Sequence, residues 1–275
     1  MHPIPDDWSD RVPNNISVFR QVRCFREHFH AGLTAAGFLC VSSRERVDAK
    51  TPVRDMMDMC LYLRMRGGVL QTVKCSLNMI DETEDKLCPY SPIGGAIQVQ
   101  LTTLADPMAL QEPLHVYLRQ LSQQFFTDFR FPGMEAGFCR SFLNMYVDDF
   151  PMAMGLEKEL FFERTLPAMD AIASVDACAA WWREKLERWP QAHHWYCSLA
   201  MWAQLAAGDW EAAGRCADRA FWYAPEGHED LRSMFARQDA QALDKLLEEN
   251  RRTVQARMMA TAPGLAAQVL HERMT

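Results

Sequence analysis

Hydrophobic residues near the start of the chain follow first a helical spacing and then a strand spacing. Between residues 16 and 36 the apolar side chains lie on one helical face, and Gly37 ends the run. This pattern predicts an amphipathic helix that stops at a glycine. The apolar positions of the helix are Val18, Val22, Phe25, Phe29 and Leu33.

Alternating apolar and polar residues then predict an antiparallel sheet. Strands are expected at 38–47, 57–66, 69–79 and 97–102, with a tight hairpin turn at Gly67-Gly68. One face of each strand is polar, so we expect helices on one side of the sheet. Met59, Leu61, Leu63, Val73, Cys75 and Leu77 are expected to face the helices, and Arg64, Lys74, Ser76 and Asn78 to face the other way.

No strand-type alternation appears after Leu101. Asp106-Pro107 predicts the start of a helix to about Phe126, followed by an irregular connector at 127–155. The predicted fold class is α+β: an N-terminal helix and antiparallel sheet in a domain at 1–150, then an all-α, repeat-like domain of helical hairpins at 151–275. The helices predicted after the connector are 156–173, 174–189, 191–207, 209–223, 228–237 and 239–259, with a short tail from Pro263.

Residues 192–225 resemble a single tetratricopeptide repeat. The resemblance rests on Leu199-Ala200, on the run Gly208-Asp209-Trp210-Glu211-Ala212-Ala213, and on Ala217, Ala220 and Pro225. The segment departs from the family pattern because Ala217 stands where a large aromatic residue is usual and Met201 where a small one is usual. A single unit cannot bury its own apolar face, so neighbouring helices must complete the stack.

Composition and charge narrow the class of protein. The 275 residues are 49% hydrophobic and 24% charged, as in globular proteins. The net charge of −7 argues against a protein whose whole surface binds nucleic acid and leaves a local basic patch open, and we expect no direct nucleic-acid partner. The nine cysteines form no CxxC pair, the N-terminus lacks a signal-peptide pattern, and no apolar run is long enough to span a membrane. We therefore expect a cytoplasmic protein without disulfides and without a membrane partner.

The sequence contains no recognisable catalytic motif. Nucleophile-elbow, Walker-A and HExxH patterns are absent, and His28, His30, His193 and His194 are poorly spaced for metal chelation. We expect no enzyme activity, no cofactor and no metal.

Two acidic clusters and two tryptophans are the partner-binding candidates. The tryptophans lie outside the rows of apolar residues that are expected to face the core of their helices, and tryptophan is common among the residues that dominate binding energy. The acidic clusters also fit a solvated surface, and the tryptophans also fit packing against adjacent helices. These candidates are Asp81, Glu82, Glu84, Asp85, Asp148, Asp149, Glu157, Trp181 and Trp222.

The front of the chain resembles small bacterial immunity proteins. The resemblance covers about residues 16–101: a helix with Phe25, Phe29 and Leu33, then Gly37-Phe38, then a strand meander. It implies a non-enzymatic protein that neutralises a toxin delivered by a type VI-like secretion system, through direct binding and occlusion. The alternatives are a helical-repeat adaptor or chaperone for a larger complex, and an enzyme with dispersed catalytic residues. The oligomeric state stays open.

Overall fold

The computed structural model describes residues 18–43, 58–78, 94–110, 155, 158–159, 161–188, 194–220 and 229–265. In this part of the chain a helix is followed by a four-stranded antiparallel sheet and then by helices, which confirms the predicted α+β class. The first elements are α1 (Val18–Ala35), β1 (Leu39–Ser43), β2 (Asp58–Arg66), β3 (Val69–Asn78) and β4 (Gly94–Thr103). A π-helical turn (Phe161–Thr165) precedes α2 (Leu166–Ala171), α3 (Val175–Arg188), α4 (His194–Ala206), α5 (Trp210–Ala220), α6 (Glu229–Arg237) and α7 (Ala240–Thr261).

Helix α1 ends as its glycine predicts. Gly37 has a φ of +85°, and the N–H groups of Gly37 and Phe38 donate to the carbonyls of Thr34 and Leu33. This pair of bonds satisfies carbonyls of the last helical turn, and Leu33 and Phe38, which one of these bonds joins, are both buried. The chain therefore leaves α1 directly into β1.

The four strands are ordered β1-β2-β3-β4, so each strand pairs with its neighbour in the chain. Gly67 and Gly68 both have positive φ, at +51° and +80°, as a two-residue hairpin turn requires. A side chain at Gly67 would also collide with the backbone, because a Cβ atom there would lie 1.8 Å from the Ala173 carbonyl oxygen. The predicted hairpin is thus fixed by both its dihedral angles and its surroundings.

The prediction that Arg64 faces away from the covered side of the sheet is wrong, because both faces are buried in the middle of the hairpin. Leu61 and Leu63 are buried as expected, but Tyr62, which points the opposite way, is fully buried against Phe25 of α1. Arg64 is also buried, with only 4% of its surface exposed. Tyrosine and arginine carry long apolar bodies that pack like hydrophobic residues when their polar ends find partners, so alternation alone misidentified the exposed face.

The described residues form two compact units, and strands of the sheet contribute to both. The first unit contains 18–43, 58–63, 72–78, 94–99, 155, 158–159 and 161–169, and the second contains 64–71, 100–110, 170–188, 194–220 and 229–265. The predicted boundary at residue 150 lies outside the described residues and stays a prediction.

Aromatic packing dominates the first unit. Phe25 and Phe29 stack on α1 with ring centroids 4.6 Å apart, and Phe161 meets Phe29 edge to face at 5.6 Å. Gly32 lies so close to Phe162 that an added Cβ would come within 2.4 Å of its ring. The glycine therefore lets the π-helical turn approach α1.

Consecutive helices pack in the second unit. Each helix from α3 to α7 contacts the next one along the chain. The α4–α5 and α6–α7 connections are built alike: Gly208 and Gln238 have positive φ, and the following aspartate accepts a bond from the N–H three residues later. The same turn thus occurs twice, thirty residues apart, in two successive helical hairpins.

The predicted helix start at Asp106-Pro107 is also wrong within the described residues. Residues 107–110 form turns, and Leu110 has a φ of +55°, which a helix does not allow. Asp106 behaves locally like an N-cap, since its carboxylate accepts from the Met108 N–H, but the chain does not continue as a helix. The expected extension to Phe126 lies outside the described residues.

Candidate functional site

The surface of α3 presents an aromatic side chain among charged ones. Ser174 begins the helix by accepting a bond from the Ala177 N–H at 3.1 Å. Cys178, Trp182 and Leu186 form the buried stripe, as their spacing predicts. Trp181 lies off this stripe and is half-buried.

The orientation of Trp181 is held by its neighbours on the same helix. Its ring meets Trp182 at a centroid distance of 4.8 Å and an angle of 79°, which is an edge-to-face contact. The ammonium group of Lys185, one turn later, lies 5.6 Å from the Trp181 ring centroid, as in a cation–π interaction. A partner would meet an aromatic group whose rotamer freedom is already reduced, which lowers the entropy cost of binding.

A polar clamp fixes α3 to the hairpin formed by α4 and α5. Buried Gln204 donates from its side-chain amide to the carbonyl of Ala179 at 2.7 Å. Arg183 donates to the Gln204 side-chain oxygen at 3.3 Å and to Asp209 at 2.7 Å. Asp209 also caps α5 through the Ala212 N–H at 3.0 Å. The helix that carries Trp181 is therefore set at a defined position on the two helices beside it.

The remaining ion pairs on the outer helical surfaces are solvated. Glu184 with Arg188 and Glu211 with Arg215 are pairs at i and i+4 between exposed side chains. Pairs of this kind contribute about 0.3–0.5 kcal/mol each. They keep these faces polar and leave Trp181 as the large aromatic group at the α3 surface.

A second cluster joins the hairpin to the segment before α3. Arg64 and Arg66 of β2 both donate to the same carboxylate oxygen of Asp170, the latter at 2.6 Å. Arg64 also donates to Gln71 of β3 at 2.8 Å, and Gln71 donates to the Ile172 carbonyl at 3.1 Å. Burial lowers the pKa of Arg64 below its ordinary value, and the bond to Asp170 opposes that effect. The arrangement is a structural tie with two cations and one anion.

A buried acid forms the third polar feature. Asp106 is 3% exposed and lies in the turn after β4. Loss of solvation raises the pKa of its carboxyl group to about 6, and the bonds from Met108 and Thr102 oppose this rise.

Five cysteines have described side chains and form no disulfide with one another: Cys24, Cys40, Cys178, Cys197 and Cys216. Three of these five have raised pKa values. Burial raises the pKa of Cys178 to about 12 and that of Cys216 to about 11, and it also raises the pKa of Cys197. A thiol must ionise to act as a nucleophile, so these three are packing groups.

Among the partner-binding residues predicted from the sequence, Trp181 is the one inside the described part of the chain. Whether the others lie near Trp181 therefore stays a prediction. Sequence reasoning overlooked Arg64 with Asp170, and Asp106 as a buried acid, because each depends on a contact with a segment distant in sequence. The other predicted residues, Asp81, Glu82, Glu84, Asp85, Asp148, Asp149, Glu157 and Trp222, lie outside the described residues.

The described residues contain no cluster of three or more histidine, cysteine or acidic side chains placed to hold a metal ion. None of the described helices is both long enough and apolar enough to cross a membrane. No protein-family model matches the chain, and neither a curated protein nor a solved structure matches it.

Proposed function

We propose that this chain is a non-enzymatic, cytoplasmic protein that neutralises a cognate bacterial toxin by binding it directly. The observation that carries the proposal is Trp181, a half-buried tryptophan held by Trp182 and Lys185 on a helix that a polar clamp fixes in place. Tryptophan is enriched among the residues that dominate protein–protein binding energy, above all where it is rigid and partly desolvated. The resemblance of residues 16–101 to immunity proteins supplies the class of partner.

Charge supports the same proposal. The chain carries a net charge of −7, which favours encounter with a basic surface such as that of a toxin acting on nucleic acid or on a nucleotide cofactor. Occlusion of the toxin's active site then needs no chemistry from this protein. The acidic residues at 81–85 and 148–157 would raise the association rate, whereas Trp181 and Trp222 would supply the desolvated contacts that slow dissociation.

The test begins with the purified chain and the products of the reading frames that neighbour its gene, among which we expect the cognate toxin. We expect a stable complex in which the toxin loses its activity. Trp181→Ala should weaken binding about 30-fold, which corresponds to the roughly 2 kcal/mol expected of an interface anchor. Glu184→Ala is the matched control, since it removes an exposed side chain from the same helix. Equal binding by both variants would remove α3 from the interface.

A charge-reversal variant separates electrostatic steering of association from direct contact in the complex. Reversing Glu82, Glu84 and Asp85 to lysine should slow association at low salt and have little effect at high salt, because such charges are screened over about 8–10 Å. Turnover of a substrate by the isolated chain, lost when one carboxylate is replaced, would refute the non-enzymatic proposal.

A helical-repeat adaptor is the second candidate, and the repeated turn favours it. Two successive hairpins, α4–α5 and α6–α7, share a left-handed residue followed by an aspartate cap, as a stacked array of similar units would. An adaptor would join two partners while both remain active. Measuring the activity of the bound partner therefore separates the candidates: inhibition supports the immunity role, and an active ternary complex supports the adaptor.

A further inference from the structure

The turn after β4 is attached to the last long helix by side chains that bind its backbone. Asn250 of α7, which is buried, donates to the carbonyl of Ala105 at 2.9 Å. Arg257, two turns further along α7, donates to the carbonyls of Pro107 and Ala109. Three backbone carbonyls of residues 104–110 therefore accept hydrogen bonds from side chains of α7.

Asp106 lies in the middle of this turn, and the described residues give its carboxylate two hydrogen bonds. One carboxylate oxygen accepts from the Thr102 hydroxyl at 2.9 Å and the other from the Met108 N–H at 3.0 Å, and both donors are neutral. Within the described residues, the charged group that faces Asp106 is Arg257, from α7. Thr102, on β4, is the uncharged group that faces it from the sheet. A buried carboxylate held only by neutral donors is costly to ionise.

The turn can accommodate the neutral acid equally well. A threonine hydroxyl donates or accepts, so Thr102 accepts a bond from protonated Asp106 and donates one to the ionised form. Leu110, at the end of the turn, has a φ of +55°, a conformation that a branched side chain disfavours. The bond from Arg257 to the carbonyl of Ala109 lies directly before this strained residue.

We propose that the attachment of residues 104–110 to α7 is controlled by protonation of Asp106, so that the turn is held when the acid is neutral and released more readily when it ionises. The inference is independent of the toxin-neutralising role. Burial raises the pKa of Asp106 from its ordinary 3.8 to about 6 in the closed turn. The favourable contribution of the neutral acid is therefore complete below about pH 3.8 and disappears as the pH rises through about 6.

The two pKa values set the size of the effect. If the open turn has the ordinary pKa, linkage makes the opening equilibrium about tenfold more favourable at pH 7.5 than at pH 5. Backbone amides of residues 104–110 should therefore lose about tenfold in protection from hydrogen exchange over that range, after correction for the intrinsic pH dependence of exchange.

The experiment compares the full-length protein with two variants by hydrogen exchange at both pH values. Asp106→Asn keeps the shape of the side chain and its bond to Met108 but cannot ionise, so its protection should not vary with pH. Asp244→Asn, an exposed change on α7, is the matched control and should keep the tenfold loss. Equal protection at both pH values in the unaltered protein, or an unchanged loss in Asp106→Asn, would overturn the proposal.

A direct titration keeps the proposal testable if Asp106→Asn does not fold. Carbon NMR of the unaltered protein follows the Asp106 carboxyl as the pH changes. A midpoint near 6 supports the proposal, and a midpoint below about 4.5 contradicts it, because the ordinary value would then apply to the closed turn.

Discussion

Asp170→Asn tests whether the tie between the hairpin and the segment before α3 depends on charge. The change keeps the size of the side chain and removes the negative charge that Arg64 and Arg66 share. Arg64, at 4% exposure, then loses the charged bond to Asp170 and keeps its bond to Gln71. Removing one partner of a buried ion pair is the costly outcome.

The magnitude follows from the exposure of the partners. Breaking a fully buried ion pair by removing one partner costs about 3–5 kcal/mol, whereas an exposed pair contributes about 0–1 kcal/mol. Here Arg64 is buried but Asp170 is 41% exposed, so water partly replaces the lost carboxylate. We therefore expect a loss of about 2 kcal/mol, or a melting temperature lowered by roughly 4–8 °C for a chain of this size.

The assay is urea denaturation of the full-length protein, with Arg66→Gln as the control. Arg66 donates to the same oxygen but is 42% exposed, so its loss should cost less than about 1 kcal/mol. The decisive variant adds Arg64→Met to Asp170→Asn, because it removes the buried charge and keeps an apolar stem. We expect this double variant to recover most of the stability lost in Asp170→Asn. A double variant less stable than Asp170→Asn would refute the reasoning.

Three further predictions concern stability. Leu61→Ala should cost roughly 2–5 kcal/mol in denaturation measurements, since the side chain is 2% exposed, and a loss below about 1 kcal/mol would contradict its place in the core. Gln238→Gly should raise the free energy of unfolding by about 1 kcal/mol because the residue has a φ of +52°. Ala256→Gly, an exposed position within α7, should lower that free energy by a similar amount, and the same sign for both would exclude the dihedral explanation. A reducing agent should leave the melting temperature unchanged, and a marked decrease would reveal a structural disulfide.

Most elements of the described fold could be predicted from the sequence, because glycine positions and hydrophobic periodicity specify them locally. Helix α1 ended at Gly37, the hairpin turned at Gly67-Gly68, and the α3 stripe of Cys178, Trp182 and Leu186 was buried as its spacing indicated. Each of these features depends on dihedral preferences or on periodicity within a few residues. The residues adjacent in sequence were therefore sufficient to predict the end of α1, the hairpin turn and the buried stripe of α3.

The candidate site was predictable only in part. The helical spacing separated Trp181 from the core stripe, but the edge-to-face contact and the nearby Lys185 became visible in the structure. The clamp through Gln204 could not be predicted, because a buried glutamine between helices has the same sequence pattern as an exposed one. Its role depends on Ala179, twenty-five residues away.

Local sequence patterns located α1, the β2–β3 hairpin and the helices from α3 onward, whereas contacts between distant segments settled which polar residues become buried. Arg64 alternates with apolar residues as an exposed strand residue would, yet it is buried and binds Asp170, more than a hundred residues later. Asp106 carries the local pattern of a helix cap, yet it ends in a turn held by Asn250 and Arg257. Periodicity records the preference of each side chain for water or for the interior. It does not record whether a distant segment will provide the hydrogen bonds that make burial of a charged group possible.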